Sequence, residues 1–308
     1  MKILLCQDDV RDATAWLAEL RAALPRAQVD LWRPGLPAVY ELALVWRPPQ
    51  QLLDEQTRLR AVLNLGAGVD ALLALRLAPG LQVLRLEDAG MGVQMAEYVC
   101  HALIRFFREF DVYAAQQQRG LWQPRALRAR GDFPVGIMGL GVLGAQVARA
   151  VRAFDFPVLG WSRTPRALDG VRCLAGAGEL PEFLAATRVL VTLLPLTPHT
   201  RGILDRSRLT QLPRGSYLIN LARGALVVED DLRALLDDGQ LAGATLDVMC
   251  EEPLPPDHWM WSHPAVQLTP HISGMTLRGD TIVQVARAVE ALQGGGPLPG
   301  LVDRARGY

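Results

Sequence analysis

Lysine is almost missing from this chain: of 32 basic residues among 308, only Lys2 is not arginine. That is a compositional bias, and it lowers what any single arginine can say about function. Asparagine is equally scarce, with Asn64 and Asn220 alone. Net charge is zero, 32 basic residues against 32 acidic ones. The two signs are interspersed, so no basic face points to nucleic acid. The four cysteines, Cys6, Cys100, Cys173 and Cys250, have no paired spacing and no Cys-x-x-Cys. Neither a disulfide framework nor a metal site is expected, and free thiols fit a reducing cytoplasm. No apolar run reaches bilayer length uncharged, since 61–84 contains Asp70, Arg76 and Pro79. The apolar start at 1–5 turns acidic at Asp8 and Asp9, too early for a signal peptide. A soluble cytoplasmic protein without membrane or nucleic-acid partners is the expectation.

Half of the residues are hydrophobic, and the length allows two domains, each with its own core. The strongest signal is Val135-Gly136-Ile137-Met138 running into Gly139-Leu140-Gly141-Val142-Leu143-Gly144, with apolar residues at helical spacing through 154. A buried strand, a glycine turn and a helix form the context that Gly-x-Gly-x-x-Gly requires for dinucleotide binding. Gly139 lets the chain turn, Gly141 lets a pyrophosphate approach the backbone, and Gly144 lets helix and strand pack closely. The N–H groups that open the helix would face the phosphates.

Apolar runs at 3–6, 29–32, 43–46, 61–65 and 81–86 read as strands, with helices at 13–24 and 69–77 between them. A long helix is expected over 96–118, broken at Gly120. After the fingerprint, strands are expected at 158–161, 189–194, 217–221, 244–248 and 266–269. Helices fit 142–154, 180–186, 206–211 and 229–238, and the amphipathic stretch 276–292 would return the chain to the first domain. Alternating strands and helices indicate parallel sheets covered on both faces. The fold class is therefore α/β, with two parallel-sheet domains of Rossmann-like or flavodoxin-like type and an active-site cleft between them.

Ligands of such sheets bind beyond the carboxyl ends of the strands. Polar residues collect there at Asn220 to Gly224, at Asp247 and at His271, and in the first domain at Trp46 and Asn64 to Asp70. The turn Gly66-Ala67-Gly68 can present N–H groups to a carboxylate, although an ordinary strand-to-helix turn fits it equally. Carbonyl chemistry needs a group that titrates near neutrality, which makes histidine the first candidate. His101 lies on the long helix as a packed or capping residue, and His258 and His263 sit in a Trp- and Pro-rich loop. His199 closes Pro195-Leu196-Thr197-Pro198-His199, a proline-containing loop formed for shape. His271 alone combines a strand end with a glycine, Gly274, that permits close approach. The basic run 125–130 reads as a solvated or inter-subunit segment.

Several motifs in order then resemble one family. They are Asn64 to Asp70, Gly90 to Tyr98, the fingerprint, Leu194-Pro195-Leu196-Thr197-Pro198, Ile219 to Gly224, Leu246-Asp247-Val248, Glu252-Pro253-Leu254-Pro255, Thr269-Pro270-His271 and the ending 302–308. Nearly end to end, the chain resembles the D-isomer-specific 2-hydroxyacid dehydrogenases, most closely their glyoxylate/hydroxypyruvate reductase A branch. That resemblance implies Arg223, Glu252 and His271 as the catalytic trio. His271 would protonate the carbonyl oxygen, Glu252 would pair with it and keep its proton available, and Arg223 would hold the substrate carboxylate. Glu251, next to Glu252, is the alternative partner. Gly66, Ala67 and Gly68 would share the carboxylate, with Trp46 and Met95 as weaker pocket candidates beside a core role. Leu194, Pro195, Leu221, Ala222, Asp247 and Gly274 would adjoin the cofactor, Asp247 near the nicotinamide. Met249 stands where the family commonly has Phe.

At the end of the second strand of the fingerprint domain, NAD enzymes usually carry an acid for the ribose hydroxyls. Ser162 stands in that place, followed by Arg163, and both can hydrogen-bond a 2′-phosphate. NADPH is the expected cofactor, with NADH used less efficiently. The implied reaction is reduction of glyoxylate to glycolate and hydroxypyruvate to D-glycerate. Alternatives are a larger 2-oxoacid of phenylpyruvate or phosphoglycerate type, or a nucleotide-sensing corepressor-like binding protein. The expected domains are 1–96 with 275–308 for substrate and 97–274 for dinucleotide, and the resemblance implies a homodimer through about 98–130.

Overall fold

The structure, a computed structural model, describes residues 1–7 and 10–308; the acidic pair Asp8 and Asp9 lies outside them. The chain forms two compact units, 1–90 with 276–308 and 91–275.

The first unit begins β1 (Lys2–Cys6), α1 (Val10–Ala23), β2 (Gln28–Leu31), β3 (Leu42–Val45), α2 (Gln50–Glu55), β4 (Ala61–Asn64), α3 (Asp70–Leu73) and β5 (Gln82–Arg85). Its five strands are parallel in the order β2-β1-β3-β4-β5. The inner strands β1, β3 and β4 read as nearly unbroken apolar runs because both faces are covered, whereas the edge strands β2 and β5 carry polar residues. Ile3, Leu5, Leu42, Leu44 and Leu63 meet Trp16 and Leu20 of α1 and Val285 and Val289 of the C-terminal helix. The alternate residues Leu4, Cys6, Ala43, Val45 and Val62 meet Leu52, Leu72 and Val302. The order reverses between β1 and β3, and ligands of open sheets bind at such a switch point.

The second unit runs α4 (Met91–Phe107), α5 (Phe110–Gln118), β6 (Val135–Met138), α6 (Val142–Arg152), β7 (Val158–Ser162), β8 (Arg172–Ala175), α7 (Gly176–Ala185), β9 (Val189–Thr192), α8 (Arg206–Leu209), β10 (Ser216–Asn220), α9 (Glu229–Asp237), β11 (Leu241–Leu246) and β12 (Val266–Leu268). α10 (Arg278–Gly294) then returns to the first unit. Seven parallel strands lie in the order β12-β11-β10-β9-β6-β7-β8. The reversal between β9 and β6 opens a crevice where their carboxyl ends diverge. One face packs Met138, Leu190, Leu218 and Ala244 under Phe183, Leu209, Leu232 and Leu235. α6 buries Val147, Ala148 and Val151. α4 lies so close to it that a Cβ on Gly92 would overlap the Gln146 carboxamide.

Beside a shorter α3 where 69–77 is expected and an α2 that the sequence pattern does not mark, three expectations change. The long helix starts at Met91 and is two helices, parted at Glu109, whose φ is 54°. Neither proline nor glycine marks that break. The Glu109 carboxylate instead meets Arg125 at 2.9 Å and Arg128 at 2.7 Å, tying the segment after α5 back to the bend. β8 was not expected, because only Leu174 of its residues is buried and an edge strand leaves little apolar pattern. His101 is exposed on α4, neither packed nor capping.

Candidate active site

The glycines of the fingerprint answer to three different constraints. Gly139 has φ 115° and donates its N–H to the Trp161 carbonyl at 2.8 Å; a side chain is strained in that conformation. A Cβ on Gly144 would overlap the Gly139 carbonyl, so α6 seats against the strand end only without one. A Cβ on Gly141 would meet nothing within 4 Å. No internal packing requires glycine there, and the open space lies beside the first turn of α6, whose N–H groups lack intrahelical partners. Unsatisfied donors at the positive end of a helix, reachable by backbone, suit a pyrophosphate.

At the end of β7 the Ser162 hydroxyl donates to the Thr164 carbonyl at 2.8 Å, which leaves its oxygen as an acceptor. A phosphate oxygen needs a donor, so Ser162 must turn from Thr164 to serve one. Arg163 and Arg166 are exposed beside it. At the end of β9, Leu194 is buried, and the Pro195 carbonyl accepts from Thr200 at 2.7 Å. That bond shapes the loop carrying His199, which is exposed.

Arg223 follows β10 on a turn built by Asn220. The Asn220 carboxamide, 1% exposed, donates to the Arg223 carbonyl at 3.0 Å. Its oxygen accepts from the Thr192 hydroxyl at 2.5 Å and the Ala222 N–H at 3.3 Å. The Arg223 guanidinium donates to the Ala222 carbonyl at 2.7 Å. Gly224 then passes so near Met249 and Cys250 that a Cβ would overlap their backbone. The arginine turn is thereby seated on the loop that holds Glu252.

Glu252 Oε1 accepts from the Met249 N–H at 3.1 Å, and Oε2 lies 2.8 Å from His271 Nδ1. Glu251 is exposed, so the partner is Glu252. A carboxylate only accepts, so Nδ1 carries a hydrogen and Nε2 is the position left for proton exchange. The two side chains are 32% and 22% exposed, open enough to meet a small ligand.

Asp247 was expected at the cofactor; it is 0% exposed and turned inward. Its Oδ1 accepts from the Thr269 hydroxyl at 2.5 Å and the Ile272 N–H at 2.9 Å, and its Oδ2 from the Ser273 N–H at 2.8 Å. With those three bonds it shapes the turn that bears His271. Gly274 does allow a close approach, but by Met95 of α4, whose Cγ a Cβ would meet at 3.0 Å.

In the first unit Asn64 does for 66–68 what Asn220 does for Arg223. Its carboxamide, buried, donates to the carbonyls of Gly66 at 3.2 Å and Gly68 at 2.8 Å. Among the described residues the N–H groups of Gly66, Ala67 and Gly68 bond to no protein acceptor, so the turn can receive an anion. The Trp46 ring covers Gly66, where a Cβ would strike it, and Trp46 is 41% exposed. Sequence reasoning places Asn64 and Asn220 at strand ends but does not reach their roles as frames of these loops; the strand-end position of a scarce residue is the available signal.

A family model described as "D-isomer specific 2-hydroxyacid dehydrogenase, NAD binding domain" matches residues 100–273. A protein of Yersinia enterocolitica named glyoxylate/hydroxypyruvate reductase A is 46% identical over 303 residues, 96% of this chain and 97% of that one. A D-isomer specific 2-hydroxyacid dehydrogenase from Xanthobacter autotrophicus, solved with NADPH and MES, superposes with TM-score 0.94 at 39% identity, covering 99% of each chain. An NADPH-dependent glyoxylate/hydroxypyruvate reductase from Sinorhizobium meliloti, solved with NADP and sulfate, gives TM-score 0.93 at 33% identity over 100% of this chain and 99% of that one.

Proposed function

The chain belongs to the D-isomer specific 2-hydroxyacid dehydrogenase family of oxidoreductases, and we propose that it reduces small 2-oxoacids, glyoxylate and hydroxypyruvate foremost, with NADPH. The observation that carries this reading is the 2.8 Å pair of His271 and Glu252. It stands at the carboxyl end of the same sheet whose β6 leads into the glycine turn.

The residues fit the cofactor. Gly139 to Gly144 would take the pyrophosphate, Ser162 and Arg163 the 2′-phosphate, and Leu194, Pro195, Leu221 and Ala222 the remaining length. When bound, NADPH supplies the hydride that reduces the carbonyl carbon. His271 Nε2 gives the proton to the carbonyl oxygen, which completes the 2-hydroxyacid and leaves a neutral ring to be reprotonated from solvent. Glu252 holds the ring by Nδ1 and offsets its positive charge before transfer. The Arg223 guanidinium takes the substrate carboxylate in a planar fork. No acid stands at the end of β7 to repel a 2′-phosphate, which favours NADPH over NADH.

The partner in this reading is a second copy. Trp122 and Leu127 are fully exposed, on the segment that Glu109 anchors through Arg125 and Arg128. Apolar groups of that size held out on an ordered segment suit burial in a homodimer. No helix among the described residues is long and apolar enough to cross a membrane, and four free cysteines support a cytoplasmic setting. The test mixes protein, glyoxylate and NADPH, follows the reduced-nicotinamide absorbance, and repeats it with NADH and with His271→Ala. The variant is expected to lose ~10²–10⁴-fold in kcat while still binding NADPH. Full turnover without His271 would overturn the assignment, and equal efficiency with NADH would overturn the cofactor preference.

A further inference from the structure

His271 sits in a conformation that costs energy. Its φ is 55°, in the left-handed region, where a side chain other than glycine persists only if its surroundings enforce it. Part of that enforcement is local. The His271 N–H donates to the Asp247 carbonyl at 2.8 Å and the Thr269 carbonyl at 3.0 Å. Asp247 Oδ1 and Oδ2 fix the next two amides.

The rest comes from α4. Along one side of that helix Arg105 donates to Gln267 Oε1 at 2.7 Å, and the Tyr98 hydroxyl lies 2.7 Å from Thr269 Oγ1. Met95 packs on Gly274. The Gln94 carboxamide bonds both the carbonyl of Met275, at 2.7 Å, and its N–H, at 3.2 Å. Read from Arg105 to Gln94, the helix follows 267, 269, 274 and 275 in order, with contacts on both sides of His271.

The hydroxyl chain has one direction. Thr269 has a single hydroxyl proton, and Asp247 Oδ1 at 2.5 Å can only accept it when ionised. Tyr98 must then donate to Thr269, giving Tyr98 O–H to Thr269 O–H to Asp247. Burial pushes the Tyr98 hydroxyl up to about 12, so it keeps the proton that this direction needs.

We infer that α4 is a splint for the catalytic histidine, and that Tyr98, acting through Thr269 and Asp247, is a positioning residue for His271. The inference rests on the reading of His271 as the proton donor. Nothing in it requires Tyr98 to touch substrate or cofactor.

Tyr98→Phe removes one oxygen and keeps the ring. The expected result is a kcat for glyoxylate reduction about ten- to a hundredfold lower, the scale of loss when a reacting group moves by about 1 Å. NADPH affinity, by fluorescence titration, should stay within about twofold. In the cofactor-free protein, the amides of Ile272 and Ser273 should exchange hydrogen about tenfold faster. Thr269→Val should behave like Tyr98→Phe, and Thr269→Ser, which keeps the hydroxyl, should restore most of the lost rate.

A Tyr98→Phe protein with unchanged kcat, beside an inactive His271→Ala, overturns the splint and leaves the acid role standing. An active His271→Ala overturns the reading beneath it. Parallel loss of kcat and NADPH affinity, or no rescue by serine, would mean that α4 merely holds the unit together, and overturns the inference too.

Discussion

Asn220→Ala should loosen the Arg223 turn and destabilise the second unit together. The carboxamide makes three hydrogen bonds, to the Arg223 carbonyl and from the Thr192 hydroxyl and the Ala222 N–H. Thr192 is 0% exposed, so its hydroxyl finds no water when the acceptor goes. A stranded buried group costs ~1–3 kcal/mol, and the two weaker or more accessible bonds add ~1 kcal/mol together. A total of roughly 2–4 kcal/mol corresponds to about 5–15 °C in the midpoint of a unit this size, at ~2–4 °C per kcal/mol. Thermal unfolding followed by circular dichroism reads the first effect, and the KM for glyoxylate, expected to rise several-fold, reads the second. Thr192→Val supplies the control. Added to Asn220→Ala, it removes the stranded hydroxyl and should recover ~1–2 kcal/mol. A midpoint within 1 °C of the parent, or no recovery in the double variant, would refute the account of Asn220 as the frame of the turn.

Four further variants test other contacts. Arg223→Lys keeps the charge but loses the planar fork, so kcat/KM for glyoxylate should fall at least ~10²-fold; near-normal values would make Arg223 a structural strand-end residue. Gly144→Ala drives a methyl into the Gly139 carbonyl, and overpacking of that kind costs ~1–3 kcal/mol. Gly141→Ala meets open space, so it should fold normally and lose NADPH affinity, a contrast that denaturation and fluorescence titration resolve. Glu109 is held below the ordinary carboxylate value of 4.5, by hydrogen bonding to Arg125 and the charge of Arg128. Its contribution to stability is present above that value and lost as pH falls through the lower folded one. Glu109→Gln should therefore lower the unfolding midpoint at pH 7, with the gap closing in acid.

How much of this was legible in the sequence depends on the kind of signal each part leaves. Buried parallel strands must be apolar on both faces, so β1, β3, β4 and β6 announce themselves as unbroken runs. The edge strand β8 buries one residue and leaves no such run. The bend at Glu109 comes from a carboxylate meeting two arginines beyond the next helix, and no local pattern encodes an interaction across that span. His271 stands out in the sequence because its strand-end placement follows from topology. Its partner was ambiguous, since Glu251 and Glu252 are adjacent and only the fold decides which one turns inward. Asp247 was assigned to the cofactor by resemblance, yet its three accepted bonds run to the turn around His271.

The two asparagines connect these observations. Each ends a buried strand, and each spends its carboxamide on the carbonyls of the loop just beyond, Gly66 and Gly68 for Asn64, Arg223 for Asn220. Aspartate could not replace either one, because a carboxylate offers no hydrogen to a carbonyl. Glutamine would place the amide one methylene too far to serve a loop that starts at the next residue. A buried amide is costly unless it is bonded, so it persists where the loop's shape depends on it. Asp247 is the complementary case. Its loop presents N–H and O–H groups instead of carbonyls, and there only a carboxylate fits. At the strand ends of this protein, the choice between amide and acid follows from whether the loop turns its acceptors or its donors toward the sheet.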